Sequence, residues 1–347
     1  MKKPGGVIMY KRKPKLFPWI LLILLLTVFF TSLSVLLFGA GVPQKILKAR
    51  PEEVPAFLYD SFVKLQDKVE MFQASDFFPG LRTETEDGLP VIGGRKSGII
   101  NILLIGQDQR PGEEDGRSDS MILCSFRPRD KTLTLTSFLR DLYVDIPGHG
   151  KNRINAAYRF GGMELLDETL LKNFGIHVDG NVEVNFEQFA AIVDTLGGIS
   201  VELRGDEAAE LNRITGSSLS KGPAVLSGQQ ALHYARIRKL DADGDFSRTL
   251  RQRKILTAIL NQVKSSSPEE LSALAGKILP SLHTDLSAFE MVKFGGKILP
   301  MLKGLSLTSQ QIPAQGTYQG QMINGMAVLV PDLTKNGQIL RETLALQ

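Results

Sequence analysis

Arginines and aspartates gather in two stretches of this chain, residues 116–141 and 236–252, in a pattern suited to gripping phosphate. The first carries Arg117, Asp119, Arg140 and Asp141; the second carries Arg236, Arg238, Asp245, Arg248, Arg251 and Gln252. A lone arginine usually serves only to solvate a surface. So many of them, each beside an aspartate or a strand end, point to a polyanion site with carboxylates to hold a metal. The guanidinium is a planar fork that meets phosphate oxygens two at a time, so arginine is the expected clamp for a pyrophosphate.

The elements that must position these residues are short and apolar. An aliphatic run over 99–105 reads as a buried strand ending at Gly106, which delivers Asp108 into a glycine-rich loop. Asp119 stands at the far end of that loop, before a second β-type run over 121–126. Two aspartates on one loop suit Mg2+, which takes one or two carboxylates plus phosphate oxygens and water; a solvated turn is the plainer reading of the loop alone. A third run over 132–138 ends at Arg140-Asp141, where a local ion pair would also explain both residues. Asn155 opens a helix-like stretch and reads as a cap. Helical spacing closes near Arg236, and alternation along an extended segment would turn Arg236 and Arg238 the same way. Arg248 and Gln252, four apart, share one face near a helix start, where the helix dipole attracts anions. A charged solvent face accounts equally well for that spacing.

Helices are further predicted over 162–173, 186–196, 227–236 and 246–264, with strands over 182–185 and 199–203. The C-terminal part reads as helices and short strands (305–312, 326–330) with a last helix from 333. Strands alternating with helices around apolar runs give an α/β fold, a mixed central sheet covered by helices. With 347 residues, 43% of them hydrophobic, the chain can bury a sizeable core. A net charge of +4 suits an anionic substrate or membrane surface, and neither a zinc-finger spacing nor a long basic run points to nucleic acid. The single cysteine, Cys124, excludes an intrachain disulfide or cysteine metal site and reads as a buried strand residue.

Residues 16–38 form an uncharged apolar run of 23 residues, about what a ~30 Å hydrocarbon core requires. Six lysines and arginines precede it, so residues 1–15 are expected in the cytoplasm and everything beyond the anchor outside. A cleaved signal peptide is the rival reading, although the run is long for a signal core. Residues 39–97 supply an amphipathic helix over 54–78 and a linker. The main domain is expected over 98–264, with 265–347 completing or extending it.

Taken in order, the motifs resemble the LytR-CpsA-Psr family of bacterial cell-envelope proteins. The resemblance rests on Asn-Ile-Leu-Leu-Ile-Gly-x-Asp-x-Arg at 101–110, Gly-Arg-Ser-Asp at 116–119 and Ser-x-x-Arg-Asp at 137–141. It continues with Lys-x-Arg-Ile-Asn-Ala-Ala-Tyr at 151–158, Arg-x-Arg at 236–238 and Asp-Gly-Asp-Phe-x-Arg-x-x-Arg-Gln at 243–252. It implies a membrane-anchored, extracytoplasmic phosphotransferase that moves an anionic glycopolymer from a polyprenyl-pyrophosphate carrier to peptidoglycan. Asp108, Asp119 and Arg140 would be catalytic, with Asp108 and Asp119 holding Mg2+. Arg117, Arg140, Arg236, Arg238, Arg248 and Gln252 would grip the pyrophosphate, and an apolar cavity would take the lipid. Leu139 stands where the family usually has proline, which would leave the aim of Arg140 less constrained. A pyrophosphate hydrolase and a non-catalytic polyprenyl-phosphate binder that regulates envelope genes are the alternatives.

Overall fold

Runs of isoleucine, leucine and phenylalanine form the strands at the centre of the computed structural model, which describes residues 91–93, 98–108 and 117–344. The expected anchor over 16–38 and amphipathic helix over 54–78 lie outside the described residues. Among the described residues no helix is long and apolar enough to cross a membrane. Contacts divide the chain into two units, and the fold below is that of residues 80–287 and 293–347; residues 288–292 fall in the other unit.

In chain order the first half comprises β1 (Ile100–Asp108), β2 (Arg117–Arg127), β3 (Thr132–Phe138), β4 (Tyr143–Ile146), β5 (Gly150–Arg153), α1 (Asn155–Phe174), β6 (Gly180–Val184), α2 (Phe186–Thr195) and β7 (Ile199–Leu203). Then come α3 (Gly205–Thr215), β8 (Gly222–Leu226), α4 (Gly228–Arg236), α5 (Asp245–Ser265), α6 (Pro268–Ile278), β9 (His283–Thr284) and α7 (Ala288–Ile298). The chain closes with β10 (Ser306–Ile312), β11 (Tyr318–Ile323), β12 (Met326–Pro331) and α8 (Leu333–Leu344).

Six strands make one mixed sheet in the order β10-β3-β2-β1-β6-β9. Strand alternation sends Leu103, Ile105, Met121, Leu123 and Phe138 to one face, where Leu166, Leu170 and Phe174 of α1 and Leu340 of α8 cover them. Ile100, Ile122, Phe126, Leu133 and Leu135 take the other face with Leu256, Leu260 and Val263 of α5. A third apolar cluster joins β7, β8, α3 and α4 to Ile255 of α5. Helix α5 thus packs in all three clusters, and Phe246 of its first turn, packed in the first of them, fixes its N-terminus against the sheet.

Two sequence expectations need correction here. Asn155 does not cap α1: Ile154 occupies that position with no side-chain cap, because its fully buried side chain anchors the helix start in the core. The helix also begins earlier than 162, with a break at Gly161 and Gly162, and Gly162 adopts φ 65°. Thr284 of β9 pairs with β6, and Asp285 accepts Asn181 N and Nδ2, both at 2.7 Å.

Asn181 Nδ2 also donates to Asp167 of α1 at 2.7 Å. Burial raises Asp167 to about 7, opposed by that hydrogen bond and reinforced by the charges of Asp285 and Glu164. The folded protein therefore keeps this proton up to about pH 7, whereas an unfolded chain releases it near pH ~4. The associated stability is fully present below about pH 4 and is lost as pH rises to 7. We expect Asp167→Asn to escape that loss, so its melting temperature, measured by calorimetry, gains on the wild type between pH 4 and 7 and levels off above. A gap independent of pH would contradict this assignment.

Candidate functional site

The site is built around an irregularity in the β1–β2 pairing. Gly106 faces Ser120 and Gln107 faces Ser118, so Asp119 is the extra residue of β2, unmatched across the ladder. A bulge of this kind turns a side chain away from the regular alternation. A Cβ on Gly106 would lie 3.0 Å from that of Ser120, so the close approach here favours glycine. The freed Asp119 carbonyl accepts Arg248 Nη2 at 3.0 Å, which ties the bulge to α5.

Arg140 follows β3 and reaches both neighbours. Its Nη1 donates to Asp119 Oδ1 at 2.8 Å and its Nε to Asp245 Oδ2 at 3.0 Å, with Asp141 Oδ2 at 3.7 Å. Burial alone would weaken this guanidinium's hold on its proton, but the carboxylates of Asp119, Asp245 and Asp141 raise it above its ordinary range. Leu139 leaves the aim of Arg140 well defined. Its side chain is buried, and its N–H donates to Ile312 O at 2.9 Å, a bond that proline could not make.

Asp245, the first residue of α5, gathers three arginines. Besides Arg140 it meets Arg238 Nε at 3.4 Å and Arg248 Nε at 3.6 Å. Arg238 Nη2 lies 3.9 Å from Asp119 Oδ2. These are ion-pair separations longer than hydrogen bonds, so among the described residues Arg238 commits none of its donors. Arg140, Arg238 and Arg248 against Asp119 and Asp245 leave one positive charge, while Asp141 is matched by Arg153 at 3.1 Å. Gln252 joins the same side, its Oε1 accepting Ser120 Oγ at 3.1 Å.

The structure therefore brings Asp119, Arg140, Arg238, Arg248 and Gln252 together. For Asp108 and Arg117 it describes only the backbone, which pairs them across β1 and β2; their expected side-chain roles lie outside what is described. Arg236 is placed differently. It is the last residue of α4, still helical, and its guanidinium stacks over the Phe186 ring at 4.4 Å, so strand alternation with Arg238 does not apply. Arg251 is buried and holds Glu207 Oε1 at 2.8 Å, Ile237 O at 3.1 Å and the Asp241 carboxylate. It fastens the loop that carries Arg238.

Asp245 stands in the sequence among the charged residues of 236–252, and its part as a hub rests on a partner, Arg140, that is 105 positions away. One buried residue was not singled out. Arg253, one residue beyond Gln252, is only 5% exposed, with Nε and Nη1 unpartnered and Nη2 3.3 Å from Gln311 Oε1. Burial pushes it down to about 10. It is a buried cation with no carboxylate beside it among the described residues. Cys124, by contrast, is pushed up to about 12 by burial and is no nucleophile.

Behind the end of β1, Gln107 Nε2 donates to Tyr158 Oη, which donates to Glu183 Oε2, each at 2.5 Å. This chain steadies the strand end that carries Asp108. In front of Asp141 and Asp245 a groove of about 450 Å³ opens towards the β11–β12 hairpin.

The fold is a mixed α/β sheet with an arginine–aspartate cluster at its bulged strand end. The chain belongs to the LytR_cpsA_psr family, whose model matches residues 64–344. It is 34% identical over 242 residues to the polyisoprenyl-teichoic acid–peptidoglycan teichoic acid transferase TagU of Bacillus mycoides, covering 68% of this chain and 75% of that one. With TagU of Bacillus licheniformis it is 40% identical over 164 residues, 47% and 52% of the two chains. Such matches span between half and three quarters of those relatives. Among solved structures, TagT bound to LIIa-WTA superposes with a TM-score of 0.60 at 30% identity, over 73% of this chain and 94% of that one. TagT with bound octaprenyl pyrophosphate lipid gives 0.56 at 27%, over 76% and 99%.

An unpaired buried charge destabilises a fold more than an apolar side chain of similar length. Arg253→Met is therefore expected to raise the melting temperature of the ligand-free protein, read by thermal unfolding at pH 7. A lower melting temperature would mean that Arg253 is compensated in the folded state.

Proposed function

We propose that this protein is an extracytoplasmic phosphotransferase that moves an anionic glycopolymer of teichoic acid type from a polyprenyl-pyrophosphate carrier to peptidoglycan. The observation that carries this reading is the Arg140–Arg238–Arg248 cluster around Asp119 and Asp245. Its residual positive charge and uncommitted Arg238 donors match a pyrophosphate, whose transfer depends on positioning and charge neutralisation more than on covalent help from the protein. The names of the relatives and the lipid and polymer named with the neighbouring structures support the same substrate class.

In this reading an acceptor hydroxyl oxygen attacks the phosphorus that bears the glycopolymer. The P–O–P bond breaks, polyprenyl phosphate leaves, and the hydroxyl proton is released. Arg140, Arg238 and Arg248 hold the phosphate oxygens, with Gln252, Arg117 and Arg236 as further contacts. The α5 residues Leu256, Leu260 and Val263, only partly buried against the sheet, offer the lipid an apolar surface further along the helix that carries Arg248. Mg2+ fits the donor set: Arg140 holds Asp119 Oδ1 tightly, while Oδ2 is 3.9 Å from Arg238 and remains for a hard cation. No three acidic, histidine or cysteine side chains converge on one point among the described residues, so phosphate and water oxygens would complete its shell, with Asp108 as the second carboxylate. The ion would neutralise charge on the pyrophosphate.

The anchor over 16–38, with residues 1–15 in the cytoplasm and the rest outside, would place enzyme and lipid-linked donor at one membrane surface. We expect Arg140→Ala and Asp119→Ala each to lower transfer of a lipid-linked glycan to peptidoglycan oligomers by roughly 10²–10³-fold, as for loss of a preorganised charge contact. Release of free glycan phosphate in place of transfer would favour the hydrolase, and lipid binding without turnover would favour a non-catalytic binder.

A further inference from the structure

Arg253 is a cost to the folded protein that the phosphate cluster does not use. Its Nε and Nη1 are shut away from solvent with no partner among the described residues, and only Nη2 approaches an acceptor, Gln311 Oε1 at 3.3 Å. Its proton, held to about pH 10, keeps it a cation at neutral pH. A buried charge of this kind destabilises the fold until a counter-charge arrives. The surroundings are short of acceptors too. Ser137 faces Gln311 across the β3–β10 ladder, and its buried hydroxyl is likewise unpartnered. Two free N–H groups beside a free hydroxyl, with one amide oxygen already engaged, make a seat for an anion.

Position along α5 identifies the anion. Arg248 and Gln252 face the bulge, through Asp119 O and Ser120 Oγ. Arg253 follows Arg248 by five residues, ~7.5 Å along the helix axis. It stands level with Ser137 and Ile122, which pair across β3 and β2. From the next turn onward, Leu256, Leu260 and Val263 face the sheet. They are only partly buried, as are Ile102, Leu104 and Cys124 on the central strands β1 and β2, so apolar surface is left uncovered between helix and sheet. From its N-terminus α5 therefore presents a phosphate cluster, then a single buried cation, then apolar surface. A phosphorylated lipid carries its charges and its chain in the same order.

We propose that Arg253 and Ser137 form a second phosphate seat, which takes the lipid-side phosphate of the carrier while Arg140, Arg238 and Arg248 hold the phosphate that bears the glycopolymer. The assignment rests on the transferase reading. As the P–O–P bond breaks, its electron pair stays on the bridging oxygen, which leaves with the lipid phosphate. That phosphate gains a negative charge in the step. A cation in contact with it holds the leaving group more tightly than the intact donor, which lowers the barrier as well as binding the carrier.

The test is calorimetric binding of a short-chain polyprenyl monophosphate to the full chain. Polyprenyl pyrophosphate, unphosphorylated polyprenol and inorganic phosphate are the companion probes. Arg253→Met should weaken the monophosphate lipid at least tenfold, leave polyprenol binding unchanged and lower kcat at saturating donor. Arg253→Lys keeps the charge and loses the fork, so it should fall between, and it serves if methionine perturbs folding. Arg238→Ala should weaken the pyrophosphate lipid and leave the monophosphate lipid near wild type. Continued transfer with monophosphate affinity unchanged in both Arg253 variants would overturn the seat and leave the transferase standing. Monophosphate binding lost in Arg238→Ala alone would place the lipid phosphate in the cluster and also overturn it. Inorganic phosphate binding as tightly as the monophosphate lipid, with the same dependence on Arg253, would overturn the assignment to a lipid. Lipid binding that depends on Arg253, with no transfer by the wild type, would uphold the seat and defeat the transferase reading.

Discussion

The site depends on one half-buried guanidinium shared among carboxylates that come from different parts of the chain. Arg140 takes Asp119 from the bulge of β2, Asp141 from its own strand end and Asp245 from the first turn of α5. Neither partner class could be gathered here without the other. Three arginines would repel one another, and the carboxylates alone would resist partial burial. Charge-assisted bonds with fixed geometry set the spacing of the guanidiniums before any ligand arrives, so little reorganisation is needed when phosphate charge replaces the looser contacts.

The remaining arginines show how one residue type serves unlike ends. Arg251 and its buried partner Glu207 form part of the frame, together with Asp241 and Arg204. Removing one member of such a pair leaves the other charge uncompensated, which typically costs about 3–5 kcal/mol. Arg236 spends its planar face on Phe186. Arg238 keeps long ion-pair distances and uncommitted donors among the described residues, as a ligand-gripping residue would. Sequence spacing assigns all of these to one charged run; burial and partner distance separate them.

Much of the architecture was legible because apolar periodicity is a local signal. The strands over 132–138 and 199–203 fall where the aliphatic alternation places them, and α2 starts at its Asn185 capping box. The β4–β5 hairpin and α3 were not anticipated. The polar strand Gly150–Arg153 and the charged helix Gly205–Thr215 are held by tertiary packing more than by pattern. Asp119, Arg140, Arg238, Arg248 and Gln252 could be picked out as candidates by residue type and order, yet their convergence could not. The bulge at Asp119 arises from register, the Asp245 hub from a contact across 105 positions and the stranded charge of Arg253 from tertiary burial, none of which a local window contains.

The central claim is that planar guanidiniums held by these carboxylates receive a pyrophosphate. The most direct measurement is the affinity of the full chain for a short-chain polyprenyl pyrophosphate, compared between wild type, Arg140→Lys and Arg238→Lys. Lysine keeps the charge and loses the fork. The account predicts that each substitution weakens binding by tenfold or more while the fold melts near the wild-type temperature. Equal affinity across all three proteins would contradict it.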